Sequence, residues 1–142
     1  MAKRTATARW DGPFRRGSGR MSFGSFDGPY SAASRFESGE GTNPEELLAA
    51  AHAGCFSMAL ALILGEAGHE PQSITTEADV HLTPAQGGGF EISRIDLRTR
   101  ARVSGLDAGA FERHAQTAKA GCPVSKALAG VGKIRLDARL ES

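Results

Sequence analysis

Two cysteines, Cys55 and Cys122, are the residues of this chain best suited to do chemistry, and their placement decides which chemistry is open to them. A cysteine acts as a nucleophile or a metal ligand only as the thiolate, so its surroundings matter more than its presence. The wide separation of the two excludes a CxxC redox motif, a zinc ribbon and a disulfide-dense scaffold. Cys55 falls inside a long helical apolar stretch, where a free cysteine is ordinarily an inert small hydrophobe. Cys122 precedes Pro123 at a helix start, where unpaired amides and the macrodipole favour a thiolate, unless it is simply a poor capping residue. His52, three residues before Cys55, places a nitrogen beside a sulfur on one helix face, and with Cys122 and His114 a metal site is conceivable. No tight ligand spacing supports that reading. Taken alone, Glu45 and Glu46 read as helix-dipole residues and Arg35 as one more surface charge.

The elements that must position these residues follow from local signals. Gly and Pro punctuate the first thirty residues and separate three short segments, 5–10, 20–26 and 30–37, that read as strands of a meander. Asn43-Pro44-Glu45-Glu46 is the clearest signal in the chain, with an N-cap Asn, a Pro at the first helical position, and Glu46 able to close a capping box. The helix it starts runs through Leu64 and ends at Gly65 or Gly68, with apolar residues on nearly every side, which predicts central burial. Segments 73–82 and 90–103 read as a hairpin, the first with Ile74, Thr76, Ala78, Val80 and Leu82 on one face, the second with a break of phase after Ile92. Asp107 caps a helix that carries Phe111, His114, Ala115 and Ala118 and ends at Gly121. A short helix follows Cys122-Pro123, and Ile134, Leu136, Ala138 and Leu140 alternate in a closing strand. The sum is an α+β fold with a small antiparallel sheet and one long core helix, a single domain over residues 1–142.

Composition narrows the function classes. The chain has 142 residues, 40% hydrophobic and 23% charged, which fits an ordinary globular protein and not a disordered one. With 17 basic and 16 acidic residues and a net charge of +1, it has no electrostatic footprint for nucleic acid. Arg98, Arg100 and Arg102 recur at period 2 and read as the solvated face of a strand. No apolar segment follows the first residues as a signal peptide requires, and the longest apolar stretch, Phe56 to Leu64, is interrupted by Ser57 and too short to span a bilayer. A cytoplasmic protein without membrane partners, its thiols held reduced, is the expectation.

Two separated motifs in register, Asn43-Pro44-Glu45-Glu46-Leu47-Leu48 through His52-Ala53-Gly54-Cys55-Phe56-Ser57 and Gly121-Cys122-Pro123-Val124-Ser125, resemble the OsmC/Ohr family of thiol-dependent peroxidases, in its osmotically inducible branch. Arg35-Phe36-Glu37 before Gly41-Thr42-Asn43-Pro44 resembles the same branch. The resemblance implies an α+β intertwined homodimer with long helices at its centre. It also implies that Cys55 attacks an organic hydroperoxide and becomes a sulfenic acid, and that Cys122 condenses with it to a disulfide. Arg35 would stabilise the thiolate and Glu45 would hold that arginine. No cofactor, metal or haem is implied; the reductant would be a dithiol of the lipoyl type. The physics agrees, because a mid-helix cysteine has no helix N-terminal amides and needs a fixed cation, for which the planar, permanently charged guanidinium is suited.

Helix geometry adds a constraint. Glu45 and Cys55 are about 15 Å apart along one continuous helix, at about 1.5 Å per residue, too far to share a site through one arginine without strain. Two copies of the helix crossing antiparallel near residue 50, over Ala49, Ala50, Ala51, Ala53 and Gly54, would close that gap. The expectation is a composite site with Cys55 and Cys122 from one subunit and Glu45, with Arg35, from the other. The competing readings are a non-enzymatic binder of hydrophobic ligands or a redox sensor on the same fold. Thiol–disulfide exchange on protein substrates ranks below both, because no exposed CxxC is present.

Overall fold

The N-terminal meander is present, with its third strand shifted. In the computed structural model, which describes residues 2–141, β1 (Thr7–Asp11), β2 (Ser18–Phe23) and β3 (Phe26–Tyr30) form an antiparallel sheet in that order. Gly28-Pro29, taken as a break, lies inside β3. β3 is an edge strand, where a proline removes no ladder bond that the sheet needs. The expected strand at 30–37 is instead a short helix, α1 (Ala32–Phe36). Ser31 caps it by accepting from the Ser34 amide, and Ser34 accepts in return from the Ser31 amide, a reciprocal cap that overrides the weak alternation.

α2 (Pro44–Glu66) begins as expected, with Asn43 Oδ1 accepting from the Glu46 amide at 2.8 Å. Glu46 does not close the capping box; its carboxylate accepts instead from the Thr42 hydroxyl at 2.8 Å. The helix runs past Gly65 to Glu66, and Gly68 closes the turn that ends it. Gly68 takes φ +89°, a conformation that costs a side chain dearly, and lets the His69 amide reach the Leu64 carbonyl at 2.8 Å. The described residues fall into two compact units that divide between Leu47 and Leu48, so α2 starts in the first and continues through the second.

In the second unit β4 (Pro71–Pro84) and β5 (Phe90–Val103) pair antiparallel, and β6 (Ile134–Glu141) pairs with β5. The β5–β6 ladder is parallel, so this sheet is mixed and not purely antiparallel as expected. The reason is the connection: α3 (Ala108–Gly121) and α4 (Pro123–Ala127) intervene, and a helical crossover returns the chain in the parallel sense. The break of phase after Ile92 is a β-bulge, His81 facing Arg94 and Leu82 facing Ile92. Beyond it Ile95, Leu97, Thr99, Ala101 and Val103 all point into the core.

That core is built from one face of α2, the buried face of β5, and Phe111, Ala115 and Ala118 of α3. On α2 the fully buried positions of this unit are His52, Phe56, Leu60 and Leu64, at a strict spacing of four. Ser57, which interrupts the apolar run, donates to Thr76 Oγ1 at 2.7 Å, and Thr76 bonds Thr99 at 2.9 Å, so the hydroxyls pin the helix to the sheet. The expectation of central burial fails within one chain: Met58 and Leu62 are 76% and 62% exposed, and Ala50, Ala51 and Gly54 are also exposed. On length and composition α2 is also long and apolar enough to cross a membrane, with a mean hydropathy of 2.1 over its most apolar window. The stretch from Phe56 to Leu64 by itself is too short to show this, because the alanines and leucines before Cys55 belong to the same apolar window.

Candidate active site

The four residues singled out by sequence come together as two pairs, one in each unit. In the first unit, Arg35 at the end of α1 meets Glu45 in the first turn of α2 as a bidentate ion pair, Nε to Oε1 and Nη2 to Oε2 both at 2.9 Å. The local fold fixes both ends. Ser34 donates its hydroxyl to the Thr42 carbonyl at 2.7 Å, Asn43 Nδ2 donates to the Ser34 carbonyl at 2.9 Å, and the Thr42 amide donates to the Pro29 carbonyl. Gly41 makes this turn possible: it has φ +104°, and a Cβ there would lie 2.5 Å from the Pro29 oxygen. Glu45 is buried, while Arg35 keeps a third of its side chain exposed. Arg35 also lies 5.4 Å over the Phe36 ring and lines a groove of about 310 Å³ with Trp10, Phe14, Tyr30 and Ser31. A fork held by a carboxylate is a cation fixed in place, aimed into an apolar groove.

In the second unit, Cys55 and Cys122, 67 residues apart in sequence, bring their sulfurs to 2.8 Å, with the Cys122 thiol donating to Cys55. Both are free thiols. Cys122 is fully buried between α3 and α4; Cys55 is half-buried and lines an open apolar groove of about 880 Å³ with Met58, Leu62, Ile63, Gly121 and Pro123. Two thiols so close cannot both ionise easily, and their environments part them. Burial and the hydrogen bond with Cys122 push the Cys55 thiol above its ordinary value. Burial works against the Cys122 thiolate as well, but the neighbouring Cys55 thiol and the polar groups at the start of α4, at Ser125 and Val124, outweigh it and bring Cys122 below its ordinary value. The two sulfurs thus feel opposite pulls, Cys55 toward the thiol and Cys122 toward the thiolate, and they titrate as one coupled pair. A disulfide requires these sulfurs to close from 2.8 Å to about 2.05 Å.

Some features escaped the sequence. His52 does not join the cysteines as a metal ligand; its Nε2 bonds the Ser125 hydroxyl at 2.7 Å, and burial lowers its pKa, so the ring is neutral. The signal, a serine three residues after Cys122 and a histidine one turn before Cys55, was in the motifs but had no partner until the fold joined them. His114 lies apart from the dithiol on α3, and the described trio with metal-binding proximity is a different one, Asp79, His81 and Asp96, which Arg94 already neutralises in part. Arg98, Arg100 and Arg102 form the solvated face expected, paired with Glu77, Asp79 and Glu141.

Comparison with known proteins gives the family of the chain. The family described as OsmC-like protein matches residues 37–137. The chain is 50% identical over 138 residues to the Peroxiredoxin OsmC of Escherichia coli, covering 95% of this chain and 94% of that one. Among solved structures it is similar to the organic hydroperoxide resistance protein OhrB of Bacillus subtilis, with a TM-score of 0.68 and 28% identity over 96% of this chain and 98% of that one. The OsmC-like protein of Mycoplasma pneumoniae shares the fold at a TM-score of 0.79 and 17% identity, each chain covered to 99%.

Proposed function

The chain belongs to the OsmC family, and on that premise we propose that it is a thiol-dependent peroxidase that reduces organic hydroperoxides to alcohols. The observation that carries the reading is the dithiol, two free sulfurs at 2.8 Å with one of them open to an apolar groove. The Cys55 thiolate attacks the terminal oxygen of the hydroperoxide; the S–O bond forms, the O–O bond breaks, and the alkoxide leaves with a proton as the alcohol. The Cys122 sulfur then attacks the sulfenic sulfur, the S–O bond breaks, and water leaves as the disulfide forms. A dithiol of the lipoyl type returns both thiols by exchange, and is itself oxidised to a disulfide. The work takes place in the cytoplasm, where such a pair rests reduced.

The upward shift of Cys55 gives the cation its role. Cys55 is the sulfur facing the groove, and burial and its bond with Cys122 push its thiol up, so a positive charge beside it favours the nucleophilic thiolate. Arg35, held by Glu45, is that charge. Because α2 runs unbroken from Pro44 to Glu66, Glu45 and Cys55 of one chain stay about 15 Å apart on it, and the cation is supplied by a second copy in a homodimer. The exposed helix face with Ala50, Ala51, Gly54, Met58 and Leu62 is the surface that the second helix covers.

The experiment is a thiol titration before and after one equivalent of cumene hydroperoxide. Loss of two free thiols per chain, with one equivalent of cumyl alcohol formed, is the expected result. No loss of thiol would end the peroxidase reading and leave a protein that binds hydrophobic ligands.

A further inference from the structure

Behind the dithiol a second contact joins the same two segments of the chain, one helical turn away. Cys55 on α2 meets Cys122 with the sulfurs 2.8 Å apart, and His52 on α2 meets Ser125 on α4, Nε2 to Oγ at 2.7 Å. The partners step by three residues in opposite senses, 55 with 122 and 52 with 125, so the contacts are successive rungs between α2 and the segment that begins at Cys122. His52 is fully buried and Ser125 nearly so. The imidazole has a single polar anchor, because its Nδ1 is buried without a hydrogen-bond partner among the described residues. Oxidation treats the two rungs differently. Once Cys55 carries an oxygen, the contact from thiol to sulfur is gone, whereas the His52–Ser125 rung contains no sulfur and survives. Among the described residues these two are the hydrogen bonds between side chains that join α2 to residues 122–127.

We propose that His52 and Ser125 are positioning residues for disulfide closure: their bond keeps α4, and with it Cys122, in register on α2 while the Cys55 sulfur is oxidised. The inference rests on the two-cysteine reading above and concerns its second step. Neither residue gives an atom to the reaction. In the condensation the Cys122 sulfur supplies the electron pair of the S–S bond, the Cys55 S–O bond breaks, and the hydroxide leaves as water with the proton that Cys122 gives up. The rung acts on the meeting of the two sulfurs. Its loss therefore lowers the effective concentration of Cys122 at Cys55 and leaves the earlier attack of Cys55 on peroxide unchanged.

Closure is measured in two arms. In the first, stopped-flow after one equivalent of cumene hydroperoxide follows peroxide consumption and disulfide formation separately, and dimedone traps the sulfenic acid that waits between them. Ser125→Ala and His52→Leu should each consume peroxide at the parent rate, close roughly tenfold more slowly, the worth of one buried hydrogen bond, and trap more dimedone. His52→Gln, which keeps a nitrogen near the Nε2 position, should stay near the parent. The double variant, His52→Leu with Ser125→Ala, separates positioning from stability. It leaves neither bonding partner unsatisfied, so in urea unfolding it should regain much of what the single variants lose. It should nevertheless close as slowly as they do, because both changes remove the same bond. The second arm uses no peroxide. Dithiobis(nitrobenzoate) forms a mixed disulfide at Cys55, the more exposed thiol, and release of a second thionitrobenzoate reports attack by Cys122 on the Cys55 sulfur. That second release should slow by the same factor. A Ser125→Ala protein that closes at the parent rate, or a double variant whose closure recovers along with its stability, overturns the positioning role. If the wild-type protein consumes no peroxide, the peroxidase reading fails while the second arm still decides the rung.

Discussion

At the scale of single residues, the dithiol divides its labour by environment. Cys55→Ser is expected to abolish peroxide turnover, whereas Cys122→Ser should consume one equivalent and stop before dithiol recycling; stoichiometric alcohol release distinguishes the two. Glu45→Gln keeps the shape of the carboxylate but not its charge, and frees Arg35 from its fork. Peroxidase kcat/KM should fall roughly ten- to a hundredfold, in keeping with the loss of one positioned charge contact. His52 gives a stability effect with a definite sign. Burial depresses the folded-state pKa below the unfolded value of about 6.5, so the unfolded chain binds more protons between the two. The contribution is whole above about 6.5 and is lost as pH falls toward the folded value. Urea unfolding between pH 7 and 5 should show His52→Gln with the flatter acid limb.

At the scale of elements, the ends and the buried face of α2 decide where the site residues stand. Phe56 is fully buried between the cysteine turn and β5. Phe56→Ala is expected to cost about 3–5 kcal/mol of unfolding free energy by the cavity it leaves, measured by chemical denaturation. The reciprocal serine cap of α1 has a larger consequence than its size suggests, since it sets the register in which Arg35 meets Glu45. That helix was misread as a strand because five residues carry too little periodicity to separate the two, and the deciding contacts, Ser34 to Thr42 and Asn43 to Ser34, link residues eight and nine apart. The parallel β6 was misread for a related reason: alternation reveals a strand but not the sense of its neighbour.

At the scale of the whole molecule, one chain leaves α2 half covered. Gly54 lies on the open face, and a Cβ built there meets nothing within 4 Å in one chain. Gly54→Leu should therefore leave the fold of a single chain intact, even favour the helix by up to about 1 kcal/mol, and yet block a close helix crossing. Sedimentation is expected to show wild-type dimers and monomeric Gly54→Leu, with peroxidase activity lost alongside the dimer. A mixture of refolded Cys55→Ser and Glu45→Ala chains gives a sharper test. Sites assembled from two subunits should recover about a quarter of wild-type activity, because half of the dimers are mixed and each carries one intact site. Sites contained within one chain would recover none.

The sequence by itself determined that Cys55 sits on a long apolar helix begun by Asn43-Pro44 and that Cys122 stands at a helix start, and its resemblance implied which residues to propose for the chemistry. These depend on capping, periodicity and motif, which are local. Only the tertiary structure decided that the two sulfurs meet at 2.8 Å, that burial and the Cys122 contact push the Cys55 thiol up, and that His52 turns to Ser125. Each of these depends on distances between residues far apart in the chain and on the water that burial removes, and neither is written in the order of the residues.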